Sequence, residues 1–283
     1  MSTIIRLTFI EIRKKKILYL TLGLTAIFLI LYGTALYFAY DSLELQEPFM
    51  RATLSSQLIS MGIYAMVFIV SFLSIFSSVG AISSEIDNGT YDAILAKPIK
   101  RYEIVLGKYI GILLVLIPYV TFFYLGIIEL NIFFGKGFIV NLAFESILKS
   151  LLALYLLPIL LTSIGIFFSC SMSTMASGIT LLIMYFFGMI GGFLEQISGV
   201  ITIENTKQAL SNTGIITSLI IPSDIIQKKA SSLLFTTSSG LNLSISSFVG
   251  AKTQPSVAMM IYILVYILVM LILAVRKFQR RDL

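Results

Sequence analysis

The chain has 283 residues, 58% of them hydrophobic and only 12% charged, and its 20 lysines and arginines outnumber its 14 acids for a formal charge of +6. That is about half the charged fraction of an average soluble protein, so the sequence reads as an all-α integral membrane protein. Histidine is absent and cysteine occurs once, at Cys170, which excludes internal disulfides, histidine metal sites, Ser-His-Asp triads and Cys-His dyads.

Residues 1–16 carry Arg6, Arg13, Lys14, Lys15 and Lys16 among Ile4, Ile5, Leu7, Phe9 and Ile12. This pattern suits an amphipathic helix on the membrane surface, or a charged flank that orients the first span. The apolar run over 17–40 is too long for the core of a signal peptide and is predicted to be a retained span. A short acidic loop is expected over 41–57, then spans over about 58–82, 104–128, 147–168, 177–197 and 257–275. Each of the six meets the roughly 20-residue requirement for crossing hydrocarbon as a helix.

Six spans put both termini on one side, and the bases say which. Thirteen of the twenty lie in 1–16, in 83–108 (Lys97, Lys100, Arg101, Lys108) and in the tail (Arg276, Lys277, Arg280, Arg281). The positive-inside rule therefore places those segments in the cytoplasm of a plasma-membrane protein. The same rule accounts for the excess base without a nucleic-acid partner.

Within 83–103, Asn88-Gly89 is a turn pair that should stop the helix descending from span two. Thr90 can cap a short new helix with Asp92 in its first turn, Pro98 should end it, and a third helix can restart near Arg101. The result is a short cytoplasmic helix between spans two and three, with Tyr91, Ile94 and Leu95 open to a partner. At the other side, 198–256 is a long loop rich in Ser and Thr. Its apolar stretch 215–226, interrupted by Pro222, is read as a re-entrant or interfacial piece.

Inside the spans, Gly107 with Gly111, and Gly188 with Gly192, have the GxxxG spacing that lets helices approach closely. Ser71, Ser74 and Ser78 share a helix face, which either lines a polar path or bonds another helix. Glu129, Lys149 and Glu195 lie near span ends, where snorkelling accommodates a charge. This scarcity of intramembrane charge argues against an ion-driven secondary transporter. Cys170, Met172 and Met175 bring soft sulfur together in sequence, but eleven methionines make proximity by chance the simpler reading than copper(I), so no metal site is assigned. No G-x-x-x-x-G-K-[ST] loop occurs, so the chain is not expected to bind ATP.

The ordered string Glu85, Gly89, Thr90, Lys97, Pro98, Ile99, Arg101, Tyr102, Glu103, Ile104, Val105, Leu106, Gly107, Lys108 and Gly111 resembles the cytoplasmic coupling region of type-2 ATP-binding-cassette (ABC) permeases. It is similar above all to six-span permeases associated with copper-enzyme maturation and sodium extrusion. The tail with Phe278, Arg280, Arg281 and Asp282 is a weaker likeness.

The resemblance implies a permease, expected to be an exporter, that carries no cofactor of its own and works by alternating access. Two ABC ATPase subunits holding ATP and Mg would dock beneath it and a second permease, identical or homologous. ATPase coupling would fall to Glu85, Gly89, Thr90, Tyr91, Ile94, Leu95, Lys97, Pro98 and Arg101, and spans two and five would face the pathway. A non-transport membrane subunit of an ATPase complex, immunity or sensory, is the alternative reading.

Overall fold

In the computed structural model the structure describes residues 1–43, 48–89, 100–135, 143–198, 204–235 and 255–280. Among these there are nine helices and no strand. They are α1 (Ser2–Lys14), α2 (Lys16–Leu43), α3 (Pro48–Asp87), α4 (Arg101–Gly135), α5 (Phe144–Ser171), α6 (Thr174–Ser198), α7 (Glu204–Ile220), α8 (Ser223–Leu234) and α9 (Val257–Gln279). The chain is thus an all-α integral membrane protein, with six helices, α2 to α6 and α9, long and apolar enough to cross a bilayer.

The six are not equivalent. In α3 and α5 about two thirds of the most apolar stretch is buried within the protein, against 22% in α2 and 17% in α9. α3 and α5 pack on one another and form the centre, with α4 and α6 beside them. α2 and α9 sit at the periphery and turn Leu20, Ile27, Ile30 and Leu31, and Ile261, Leu264, Leu268 and Ile272, outward. In a bilayer such faces lie against lipid tails, which are as apolar as the side chains themselves.

The expected loop over 41–57 is largely helix. α2 continues to Leu43 and α3 begins at Pro48. Proline suits a first helical position, because its missing N–H is one of the donors a helix start leaves unpaired anyway. Hydropathy misses such extensions, since a helix that leaves the bilayer no longer needs apolar residues. At 40 residues α3 is about 60 Å long, twice the hydrocarbon thickness.

Hydroxyls and one amide bind the helices where apolar packing is interrupted. Asn131 of α4 is fully buried; its Nδ2 donates to Tyr32 Oη (2.9 Å), and its Oδ1 accepts from Tyr40 (3.2 Å). Tyr32 in turn donates to the Leu58 carbonyl (2.7 Å), so one residue links α2, α3 and α4. Pro118 and Pro158 lie inside α4 and α5.

Residues 204–234 hold a bent helix pair, α7 and α8, which turn by 102° relative to one another at the break around Pro222. Such a break frees carbonyls that need partners away from water. Tyr262 donates to the Leu219 carbonyl (2.9 Å) and Tyr266 to that of Ile220 (3.0 Å), so α9 supplies them.

Candidate functional site

The turn that leaves α3 is built as the Asn88-Gly89 pair predicts. The helix stops at Asp87, and Gly89 takes φ 69°, a left-handed conformation that costs glycine little. Thr90, Tyr91, Ile94, Leu95, Lys97, Pro98 and Ile99, and with them the proposed coupling helix, lie outside the described residues. The chain re-enters at Lys100, and α4 starts at Arg101.

Both roots of this segment are anchored. On the α4 side, Arg101 Nη1 donates to the carbonyls of Gln279 (3.0 Å) and Phe278 (3.4 Å) at the end of α9. A guanidinium there satisfies the last carbonyls and meets the negative pole of the helix dipole. On the α3 side, Ser169 Oγ accepts from the backbone of Ile82 (3.0 Å) and Ser83 (2.9 Å). Thr174 pairs with Ser83 Oγ (2.8 Å) and donates to Asp87 (3.4 Å), which joins the end of α3 to the α5–α6 turn.

Between the roots sits Lys108, about two turns into α4 and 5% exposed. Its ammonium donates to Glu85 Oε1 and to Glu11 Oε2 (3.2 Å), and Glu11 also meets Lys15 (3.3 Å). A ladder of alternating charge therefore runs from α1 through α4 to α3. The N-terminal ammonium adds a 3.4 Å pair with Glu103. A lysine this buried needs its carboxylates, because an unpaired charge out of water costs several kcal/mol (~3–5).

The predicted glycine notches have specific occupants. A Cβ at Gly107 would lie 2.9 Å from Ile4, and one at Gly111 2.6 Å from Thr8, so this notch receives the amphipathic helix α1 rather than another span. Ile4, Thr8 and Ile12 supply the inward face of α1; Thr8 and Ile12 are buried. At the opposite end, a Cβ at Gly188 would lie 2.9 Å from the Ile221 carbonyl oxygen, and one at Gly192 would strike the Asp224 carboxylate. That notch admits the bend between α7 and α8.

Ser71, Ser74 and Ser78 are fully buried and donate along their own helix to the carbonyls of Val67, Val70 and Ser74 at 2.7–2.8 Å. Ser78 fits against α5 because Gly165 has no side chain to oppose it. Ser71 of this face pairs with Tyr185 of α6, and Ser169, which the face pattern did not single out, bonds across to α3. Cys170 is buried whereas Met175 is 82% exposed, so the three sulfur residues do not converge. Among the described residues no group of His, Cys, Asp and Glu is placed to hold a metal.

Snorkelling does not describe Glu195. It is largely buried and pairs with Lys228 of α8 (2.6 Å), which also holds Asp224 (2.6 Å). The i,i+4 spacing of Asp224 and Lys228 was readable in the sequence, but the reading of 215–226 as a re-entrant or interfacial piece rested on its apolar residues and passed over the pair. Lys149 does pair at the surface, with Glu145 (2.6 Å), and Glu129 is exposed.

A family model described as ABC-2 family transporter protein matches residues 2–283. No curated protein matches the chain.

Proposed function

Because the chain belongs to the ABC-2 family of transporter proteins, we propose that it is the permease of an exporter driven by ATP hydrolysis on separate subunits. As a member it is a multi-pass membrane component of an ABC transporter and not itself the ATPase. The finer reading is that two ATPase subunits dock beneath this chain and a second permease, identical or homologous. They bind ATP and Mg, and their closure drives alternating access. The basic end, with both termini, faces the cytoplasm of the plasma membrane.

The observation that carries this reading is the anchoring of both roots of residues 90–99. A push on that segment is delivered to α3 through Gly89 and Glu85, and to α4 through Arg101 and Lys108. Buried, hydrogen-bonded ion pairs resist separation, so the load passes into long helices as a rigid tilt rather than being absorbed locally. α3 and α4 carry it across the bilayer, α1 moves with α4, and α9 is engaged through Arg101.

The test is Ile94→Asp with Leu95→Asp. Charge in an apolar docking surface should abolish ATPase co-purification and coupled transport while the amount in the membrane stays normal. A double change at Asp87 and Lys100, both exposed, should be milder. Normal ATPase binding and transport by the Asp variant would reduce the segment to a linker.

A further inference from the structure

The buried Asp224–Lys228–Glu195 cluster adjoins a half-enclosed cavity of about 90 Å³ between α3, α6 and α8. This volume is several times what one water needs. Tyr64 and Phe68 line it from α3, Tyr185 and Phe193 from α6, and Asp224 and Gln227 from α8. Asp224 and Gln227 are 9% and 6% exposed, and Tyr185 is 3% exposed, so the polar base is deep. Phe68 and Phe193 are 40% and 60% exposed and form the rim.

Three features define what this cavity takes. Four aromatic rings and a carboxylate line the same small volume, the residue types that together recognise ammonium groups. The base of the cluster offers one lysine ammonium to two carboxylates. Lys229, the neighbouring base, is directed instead to the Pro255 carbonyl (3.3 Å). Third, Gln227 Nε2 is buried and has no hydrogen-bond partner among the described residues, and a buried donor beside the cavity can be met by an acceptor on the occupant.

We infer that this cavity is a binding site for a small organic ammonium that carries an oxygen acceptor next to its cationic centre. The ammonium sits among the rings with Asp224 beneath it, and the oxygen accepts from Gln227. Gly192 makes room for the Asp224 carboxylate that any side chain would displace. The site belongs to the permease alone and does not depend on how the chain couples to an ATPase.

Choline and its neutral isostere 3,3-dimethyl-1-butanol separate charge from shape. Isothermal titration of the full-length chain in phosphatidylglycerol nanodiscs should give saturable choline binding and at least a tenfold weaker response to the isostere. Sodium at equal ionic strength should not displace choline. Phe68→Leu with Phe193→Leu keeps apolar bulk at the rim and should weaken choline about tenfold without changing helix content or melting temperature. Asp224→Asn should abolish binding.

Equal affinity for choline and the isostere would overturn the inference. So would the absence of saturable heat, unchanged choline binding by the double Phe variant, or displacement by sodium. Nanodiscs of phosphatidylcholine then identify the source: loss of choline binding there assigns the site to a lipid headgroup, and unchanged binding assigns it to a free ammonium. No ATPase is present in the assay, so its outcome is independent of the docking experiment.

Discussion

Lys108 is the residue on which the basic end turns, because from α4 it reaches both α3 and the amphipathic helix α1. Lys108→Met keeps much of the apolar stem but strands Glu85, whose Oε2 is already buried without a partner among the described residues. The loss should be about 2 kcal/mol, below the ~3–5 of a fully buried pair, because the Glu11 side chain is 37% exposed and partly hydrated. A lowered melting temperature in detergent checks it, and adding Glu85→Gln should restore part of the loss by removing the stranded charge. An unchanged melting temperature for the single variant would mean that water reaches the site. The sequence held Lys108 and Glu85 in one motif but offered nothing to join them to Glu11, which is 97 positions from Lys108. Helical periodicity tells which residues share a face and not which faces meet. Glu195 escaped for a related reason: a charge near a span end is read as hydrated until another element is known to cover it.

Among elements, α1 departs most from an ordinary membrane flank. Either an amphipathic helix or a topogenic tail fitted its sequence; the structure has a helix whose Ile4 and Thr8 fill the notch at Gly107 and Gly111. The GxxxG spacing was legible and its partner was not, because small residues admit any helix that comes near. Gly111→Val should expel α1 from α4 while leaving the span inserted, since valine keeps the span as apolar as before. A spin label at Arg13, exposed on α1, should then become more mobile with the amount in the membrane unchanged. Unchanged mobility would show that the ion pairs of Glu11 and Lys108 hold α1 without the notch. The corresponding change at the opposite end, Gly192→Ala, sets a methyl against Asp224. It should destabilise the bent pair by about 1–3 kcal/mol, the usual cost of overpacking, and raise protease sensitivity within 204–234.

At the scale of the whole molecule, the six apolar helices were legible because a bilayer imposes one length and one polarity on anything that crosses it. Which of them form the centre was not, since lipid-facing and buried residues are equally apolar and the pattern that separates them in water disappears. Sidedness can still be argued, because it depends on charge rather than packing. The bases of α1, Lys100, Arg101 and Lys108, and Arg276 and Lys277 of α9 with Arg280 just after it gather at one end, where Arg101 touches α9 and Glu11 touches Lys108. Lys207 lies on the other side of α6, in the exposed first turns of α7. In a Cys170→Ser background, cysteines placed at Lys100 and at Arg280 should therefore react with an impermeant maleimide only after the membrane is opened. One at Lys207 should react in intact cells. The three positions constrain one another: six spans require Lys100 and Arg280 to share a side, and a bent pair that returns to its own side requires Lys207 to oppose both. Labelling of Lys100 and Arg280 from opposite faces would show that α7 and α8 together complete a seventh crossing. Labelling of Lys100 and Arg280 from outside, with Lys207 protected until the membrane is opened, would instead reverse the orientation and remove the basic end from any cytoplasmic ATPase.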